Sequence, residues 1–172
     1  MGIDCPSFTK INIGLKILGQ RNDGFHNITT IFQELEFGDN ISIVQSGQGC
    51  NIISDVDWIP SDKKNICYKA YEELIKKFPD LDGIKIIINK NVPVGSGLGG
   101  GSANAAAVLK GVCKLYDLEI SNNELKKIAL KVGADVPFFI EGGTQLGKGV
   151  GEILEPITNP VKGFFPSPRS KI

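Results

Sequence analysis

Five of the seven residues from 95 to 101, "GSGLGGG", are glycine, and the alanine-rich run "SANAAAVL" follows without a break. A backbone without Cβ atoms can bring its N–H groups close to another molecule. A helix that starts directly afterwards adds unpaired N–H donors and the positive end of its dipole. An anion suits such a cradle, and a phosphate suits it best. Ser96, Ser102 and Asn104 add polar side chains, and the Ser102 hydroxyl is a candidate contact for Mg²⁺. The bland alternative is a loop packed tightly against another backbone.

Several phosphate loops share this look, and their contexts separate them. Gly95, Gly97 and Gly100 satisfy G-x-G-x-x-G, the dinucleotide fingerprint. That fold needs a second parallel strand after the helix, ending in an acidic residue. Here a second helix start, "SNNE" at 121–124, comes next instead. A Walker loop needs Lys-Ser or Lys-Thr after the glycines, and none follows. The glycine loop of protein kinases lies between two strands and is paired with V-A-I-K, which is absent.

Composition narrows the class. The 172 residues carry 19 basic and 19 acidic side chains, so bulk charge points to neither nucleic acid nor membrane. No apolar run approaches the ~20 residues that cross a bilayer. The opening lacks a basic-then-apolar signal pattern, so the cytoplasm is the expected compartment. Four scattered cysteines form no C-x-x-C pair, and His26 is the single histidine, which speaks against zinc. The cysteines read as reduced and semi-buried.

The order of elements predicts an α+β domain. Residues 9–18 alternate: Ile11, Ile13, Leu15 and Ile17 share one face, and Lys10, Asn12, Gly14 and Lys16 the other. This predicts a strand with its apolar side in the core. Residues 28–37 predict a second strand and "GDN" at 38–40 a turn. Residues 41–44 and 50–53 predict a hairpin around "GQG". Asn65 predicts a helix cap, with a helix through Phe78. Residues 84–90 form a β-branched strand ended by Pro93. Helices follow at 102–116 and from the capping box at 121–124 to Gly133. Two short strands, "TQLGKG" and "EILEPI", come last.

"PVGSGLGGGSANAAAVL" resembles the phosphate loop of the GHMP kinases, P-x-x-x-G-L-G-[GS]-S-[AS]-[AS], with one extra glycine. "PSFTKINIGL", "GQRNDGFH", "GADVPFF" and "GVGEIL" resemble further motifs of the branch acting on a cytidine diphosphate-linked methylerythritol. The similarity covers about residues 6–157. It implies the N-terminal lobe of the GHMP kinases, like the second domain of ribosomal protein S5. It also implies ATP and Mg²⁺ as cofactors and phosphorylation of a small-molecule hydroxyl.

The resemblance assigns roles residue by residue. Lys10 and Asp135 match the catalytic lysine and carboxylate. Pro93, Gly95, Ser96, Gly97, Leu98, Gly99, Gly100, Gly101, Ser102 and Ala103 match the ATP loop, and Asn65 an adenine contact. Asn12, Phe25 and His26 match substrate-binding positions; many members carry tyrosine where this chain has Phe25. Each has a plainer reading. Lys10 and Asn12 could be a solvated strand face, Asp135 a helix cap before Pro137, and His26 a structural histidine.

The family's second lobe, with its further glycine-rich motif, has no match. Residues 1–161 are expected to form the ATP-binding domain and 162–172 a divergent tail. A fragment, a shortened gene and a one-lobed protein completed by a partner such as a second copy all remain open. Weak or absent activity of this chain alone is the expectation. The rival functions are a nucleotide-binding module without turnover, a kinase for another small alcohol, and an RNA-binding domain. Zero net charge and the lack of a basic–aromatic stripe disfavour the RNA reading.

Overall fold

Isoleucine recurs at 41 and 43 and again at 84, 86 and 88, and period two puts each set on one side of a strand. All five are buried in the core. The computed structural model describes residues 1–20, 24 and 26–158. Its strands are β1 (Gly2–Gln20), β2 (His26–Gln45), β3 (Cys50–Ser54), β4 (Ile84–Asn89), β5 (Thr144–Gly149) and β6 (Ile153–Pro156). The helices are α1 (Ile66–Lys77), α2 (Gly100–Leu115), α3 (Asn122–Val132) and the short α4 (Phe138–Glu141). The α+β expectation holds.

The six strands form one sheet organised on β2. Along one edge β2 pairs antiparallel with β1 over nearly its whole length. Its other edge is shared end to end, by β4 at 40–45 and by β5 at 28–33. β3 lies outside β4 in parallel, and β6 outside β5. Alanines 105, 106 and 107, with Val108, Leu109 and Val112, are buried where α2 packs between the sheet and α1. At Gly111 the approach is so close that a Cβ would lie 2.5 Å from Ile43 Cδ1.

The helix ends follow local chemistry. Asn65 caps α1, its Oδ1 accepting from the Cys67 N–H at 2.9 Å. Ser121 and Glu124 form the reciprocal capping box of α3, and Gly133 ends that helix. The four cysteines are free thiols.

Three strand expectations fail, each for a non-local reason. Residues 38–40 do not turn, because β2 runs straight through them. Gly38 is small because of β1: a Cβ there would lie 1.9 Å from the Ser7 carbonyl oxygen. The segments 41–44 and 50–53 do not form a hairpin either, since β4 lies between β2 and β3. The apolar face of β1 is open, with Leu15 55% and Ile17 63% exposed, whereas Lys10 is buried. A register shift between Phe8 and Lys10 explains that inversion. It lets the neighbours Thr9 and Lys10 both be buried, which strict alternation forbids.

Candidate active site

Beyond β4 the chain passes Pro93 and enters the glycine loop, which ends at the start of α2. Gly95, Gly97 and Gly99 all take positive φ, and Gly99, at 71°, is the N-cap of α2. A Cβ on Gly99 would stand 3.0 Å from Phe139 Cζ and 3.2 Å from Lys10 Cε. Glycine is therefore needed there both for conformation and for the passage of the Lys10 stem.

The N–H groups of Gly100, Gly101 and Ser102 have no acceptor among the described residues. The next one, Ala103 N–H, donates to the Gly99 carbonyl at 2.9 Å. Ala103 thus lies behind the cradle with its methyl buried and offers no free donor. No acidic side chain occupies the first turn of α2.

A cavity of about 400 Å³ opens at this helix start. Asn65, Pro93, Gly95, Ser96, Gly97, Gly99, Gly100, Gly101 and Ser102 border it. Both polar ends of Asn65 are engaged, one in capping α1 and one donating to the Pro60 carbonyl at 2.7 Å. Leu98 is not in the cavity wall, but its carbonyl accepts from the Lys10 N–H at 2.9 Å and ties the loop to β1. Cys67 also borders the cavity; burial pushes its thiol up to about 12, so it stays protonated near neutral pH.

On the other side of Gly99 lies the Lys10 ammonium. It sits 3.5 Å from Asp135 Oδ2 and donates to Asn12 Oδ1 at 2.7 Å. Its Nζ stands 4.9 Å from the centre of the Phe32 ring. Asn12 in turn donates to Thr30 Oγ1 at 3.1 Å, so in this structure it orients Lys10. Phe32, Phe138 and Phe139 form an aromatic floor, with centroids 5.2 and 5.0 Å apart in succession. An ammonium and a carboxylate on this dry floor, next to free N–H donors, can activate a hydroxyl and steady a phosphoryl group.

His26 is not part of this cluster. It is exposed at the start of β2, paired with Gln20, whereas Phe32 pairs with Asn12. Six residues of strand separate His26 from Phe32, about 20 Å. Phe25 lies outside the described residues, as does the tail from 162.

Two residues that the sequence did not single out belong to the site. Lys90 borders the cavity, and its ammonium is bonded to Asp39 Oδ2. In the sequence Lys90 is only the last residue of the 84–90 strand, and "GDN" hides Asp39 as a turn residue. Asn104 is buried and holds both Asp39 and Ser7.

The comparisons with known proteins agree with this architecture. Residues 65–143 match the GHMP kinases N terminal domain, and the chain has the N-terminal fold of the GHMP kinases. The 4-diphosphocytidyl-2-C-methyl-D-erythritol kinase of Clostridium botulinum (strain Loch Maree / Type A3) is 45% identical over 150 residues, 87% of this chain and 54% of that protein. Its counterpart in Acetivibrio thermocellus is 41% identical over 155 residues, 90% of this chain and 55% of the relative. A crystal structure of 4-(cytidine 5'-diphospho)-2C-methyl-D-erythritol kinase superposes with a TM-score of 0.79 at 32% identity, covering 92% of this chain and 56% of that one. Homoserine kinase from Cytophaga hutchinsonii shares the fold, with a TM-score of 0.68 at 20% identity, over 94% of this chain and 52% of its own. The chain spans about half the length of the relatives it matches.

Proposed function

We propose that residues 1–161 form an ATP-binding domain that transfers the γ-phosphoryl group of ATP to a hydroxyl of 4-diphosphocytidyl-2-C-methyl-D-erythritol. The observation that carries this reading is the Lys10–Asp135 pair, 3.5 Å apart, set against the Gly99 turn from which the free N–H groups of α2 begin. The triphosphate lies in the cradle of Gly95, Ser96, Gly97 and the N–H groups of Gly100, Gly101 and Ser102. Asp135 takes the hydroxyl proton as its oxygen attacks the γ-phosphorus and the bond to the β-phosphate oxygen breaks, releasing ADP. Lys10 stabilises the charge that develops between them. His26, at the far end of the β1–β2 ribbon, reaches the cytidine end of an extended substrate. The cytoplasm is the compartment that goes with this chemistry.

Among the described residues there is no cluster of three or more His, Cys, Asp or Glu that could hold a metal. Ser102, in the cavity wall, would be the side-chain contact for Mg²⁺, which keeps its waters and binds mainly through phosphate oxygens. When bound it neutralises phosphate charge.

The test is ADP release by the 172-residue chain supplied with ATP, Mg²⁺ and 4-diphosphocytidyl-2-C-methyl-D-erythritol. Asp135→Asn should lower turnover about 10²–10⁴-fold with the melting temperature unchanged. ATP binding without ADP release would reduce the reading to a nucleotide-binding module. ADP release that is the same in Asp135→Asn would remove the carboxylate from the mechanism.

A further inference from the structure

Asp39 lies in the interior of β2, and its carboxylate is enclosed. An ionised carboxylate offers about four acceptor positions, and the structure fills them. Oδ1 accepts the backbone N–H groups of Asn91 and Val92, both at 2.8 Å. Oδ2 accepts Asn104 Nδ2 at 2.9 Å and the Lys90 ammonium. The amide of Asn104 is held the right way round, because its Oδ1 accepts from the Ser7 hydroxyl at 2.6 Å. Beside Asp39, the Gly38 carbonyl accepts from Asn91 Nδ2 at 3.0 Å.

These donors come from separate segments around one cavity. Lys90 is in its wall, Asn91 and Val92 are the root of the glycine loop, and Asn104 is in the second turn of α2. A lysine on a four-carbon stem would otherwise lose rotamer freedom each time a ligand bound. A glycine-rich loop loses more backbone freedom than any other on ordering. One buried carboxylate removes part of both costs in advance.

We propose that Asp39 is a positioning residue for the phosphate cradle, fixing the Lys90 ammonium, the loop root and α2 relative to one another before ligand arrives. The proposal rests on the nucleotide reading of the cavity, so its test has one readout with ligand and one without. Asp39→Asn keeps an oxygen for the Asn91 and Val92 N–H groups but turns an N–H₂ toward two donors, Lys90 and Asn104. Titration calorimetry with MgATP reads affinity, and amide hydrogen exchange on the ligand-free chain reads order in residues 90–104.

Loss of a charge-assisted hydrogen bond should weaken MgATP about tenfold or more. Exchange should speed up across 90–104 by more than it does in α3. Affinity and loop exchange both within about twofold of wild type, in a folded variant, would overturn the proposal. So would an equal rise of exchange in α3, which would mark Asp39 as a general stability residue. If the wild-type chain binds no MgATP, the nucleotide reading fails and the exchange pattern alone decides the role of Asp39. If Asp39→Asn does not fold, Asp39→Asn with Lys90→Gln removes the unpaired ammonium. In that double variant, exchange across 90–104 still at wild-type rates would again overturn the proposal.

Discussion

Lys10 and Lys90 flank the same glycine loop, and each faces an aspartate. Both lysine side chains are almost fully enclosed, 8% and 6% exposed. Their partners differ: Asp39 has no exposed side-chain surface, whereas Asp135 keeps 37%. Asp39 is also saturated, with donors on both oxygens. Asp135 has only the Lys10 ammonium close by among the described ion pairs. A carboxylate that is full and sealed can hold parts together but cannot take up a proton from substrate. One that is about one-third open beside a cation can still be reached by substrate. Similar residues thus give architecture on one side of the loop and a candidate reaction centre on the other.

The sharpest way to break this comparison is to remove each lysine in turn. Lys90→Met leaves a buried carboxylate without its counter-ion, which should cost about 3–5 kcal/mol of stability. Denaturant unfolding measures this directly. If Lys90→Met unfolds at the wild-type midpoint, the sealed pair is not structural and the contrast is lost.

Gly99→Ala sits between the two pairs and tests whether they are mechanically linked. The methyl group meets a left-handed backbone, the Phe139 ring edge at 3.0 Å and the Lys10 stem at 3.2 Å. Strain and overpacking together should cost about 1–3 kcal/mol. Because the clash is with Lys10 rather than Lys90, phosphoryl transfer should fall more than MgATP affinity. A variant with weakened nucleotide binding and intact turnover at saturation would show that the loop serves only the sealed side.

How much of this could be read from the sequence depended on the range of the interactions. The caps at Asn65 and Ser121, the stop at Gly133 and the helix that follows the glycine loop involve neighbours a few residues apart, and all were legible, although α2 starts at Gly100 rather than at 102. Gly38 and Asp39 look like a turn because their partners, Ser7 and residues 90–92, are distant in sequence. The parallel strand β3 could not be separated from a hairpin without knowing that β4 would come between. Alternation in β1 showed two faces but not which would be covered, since one register shift beside Lys10 decides that. Lys10 and Asp135 were found through motif resemblance and not through any local physical signal. Lys90 had neither, and only the cavity reveals it.

Lys10→Met gives the next smaller stability change. Methionine fills much of the volume of the lysine stem, and the one-third-open Asp135 stays solvated. The loss should be about 1 kcal/mol or less, several-fold below that of Lys90→Met, even as turnover falls sharply. A stability cost equal to that of Lys90→Met would show that Asp135 is buried in solution as deeply as Asp39, and the proposed division of labour would not stand.

The weakest pair gives the baseline for the other two. Lys77 donates to Glu124 Oε1 at 2.8 Å on the surface, where water competes for both. The hydrogen bond from Lys77, and after it those from the Ser121 N–H and hydroxyl, hold the Glu124 carboxyl below its ordinary value of 4.5. A depressed folded value means that the unfolded chain takes up the proton first. The stabilisation is therefore fully present above about 4.5 and disappears as pH falls through the lower folded value. Glu124→Gln should lower the melting temperature slightly near neutral pH, and the gap to wild type should close on acidification below that range. If the Glu124 gap stayed constant down to pH 3, the capping geometry alone would account for it and the Lys77 ion pair would contribute nothing.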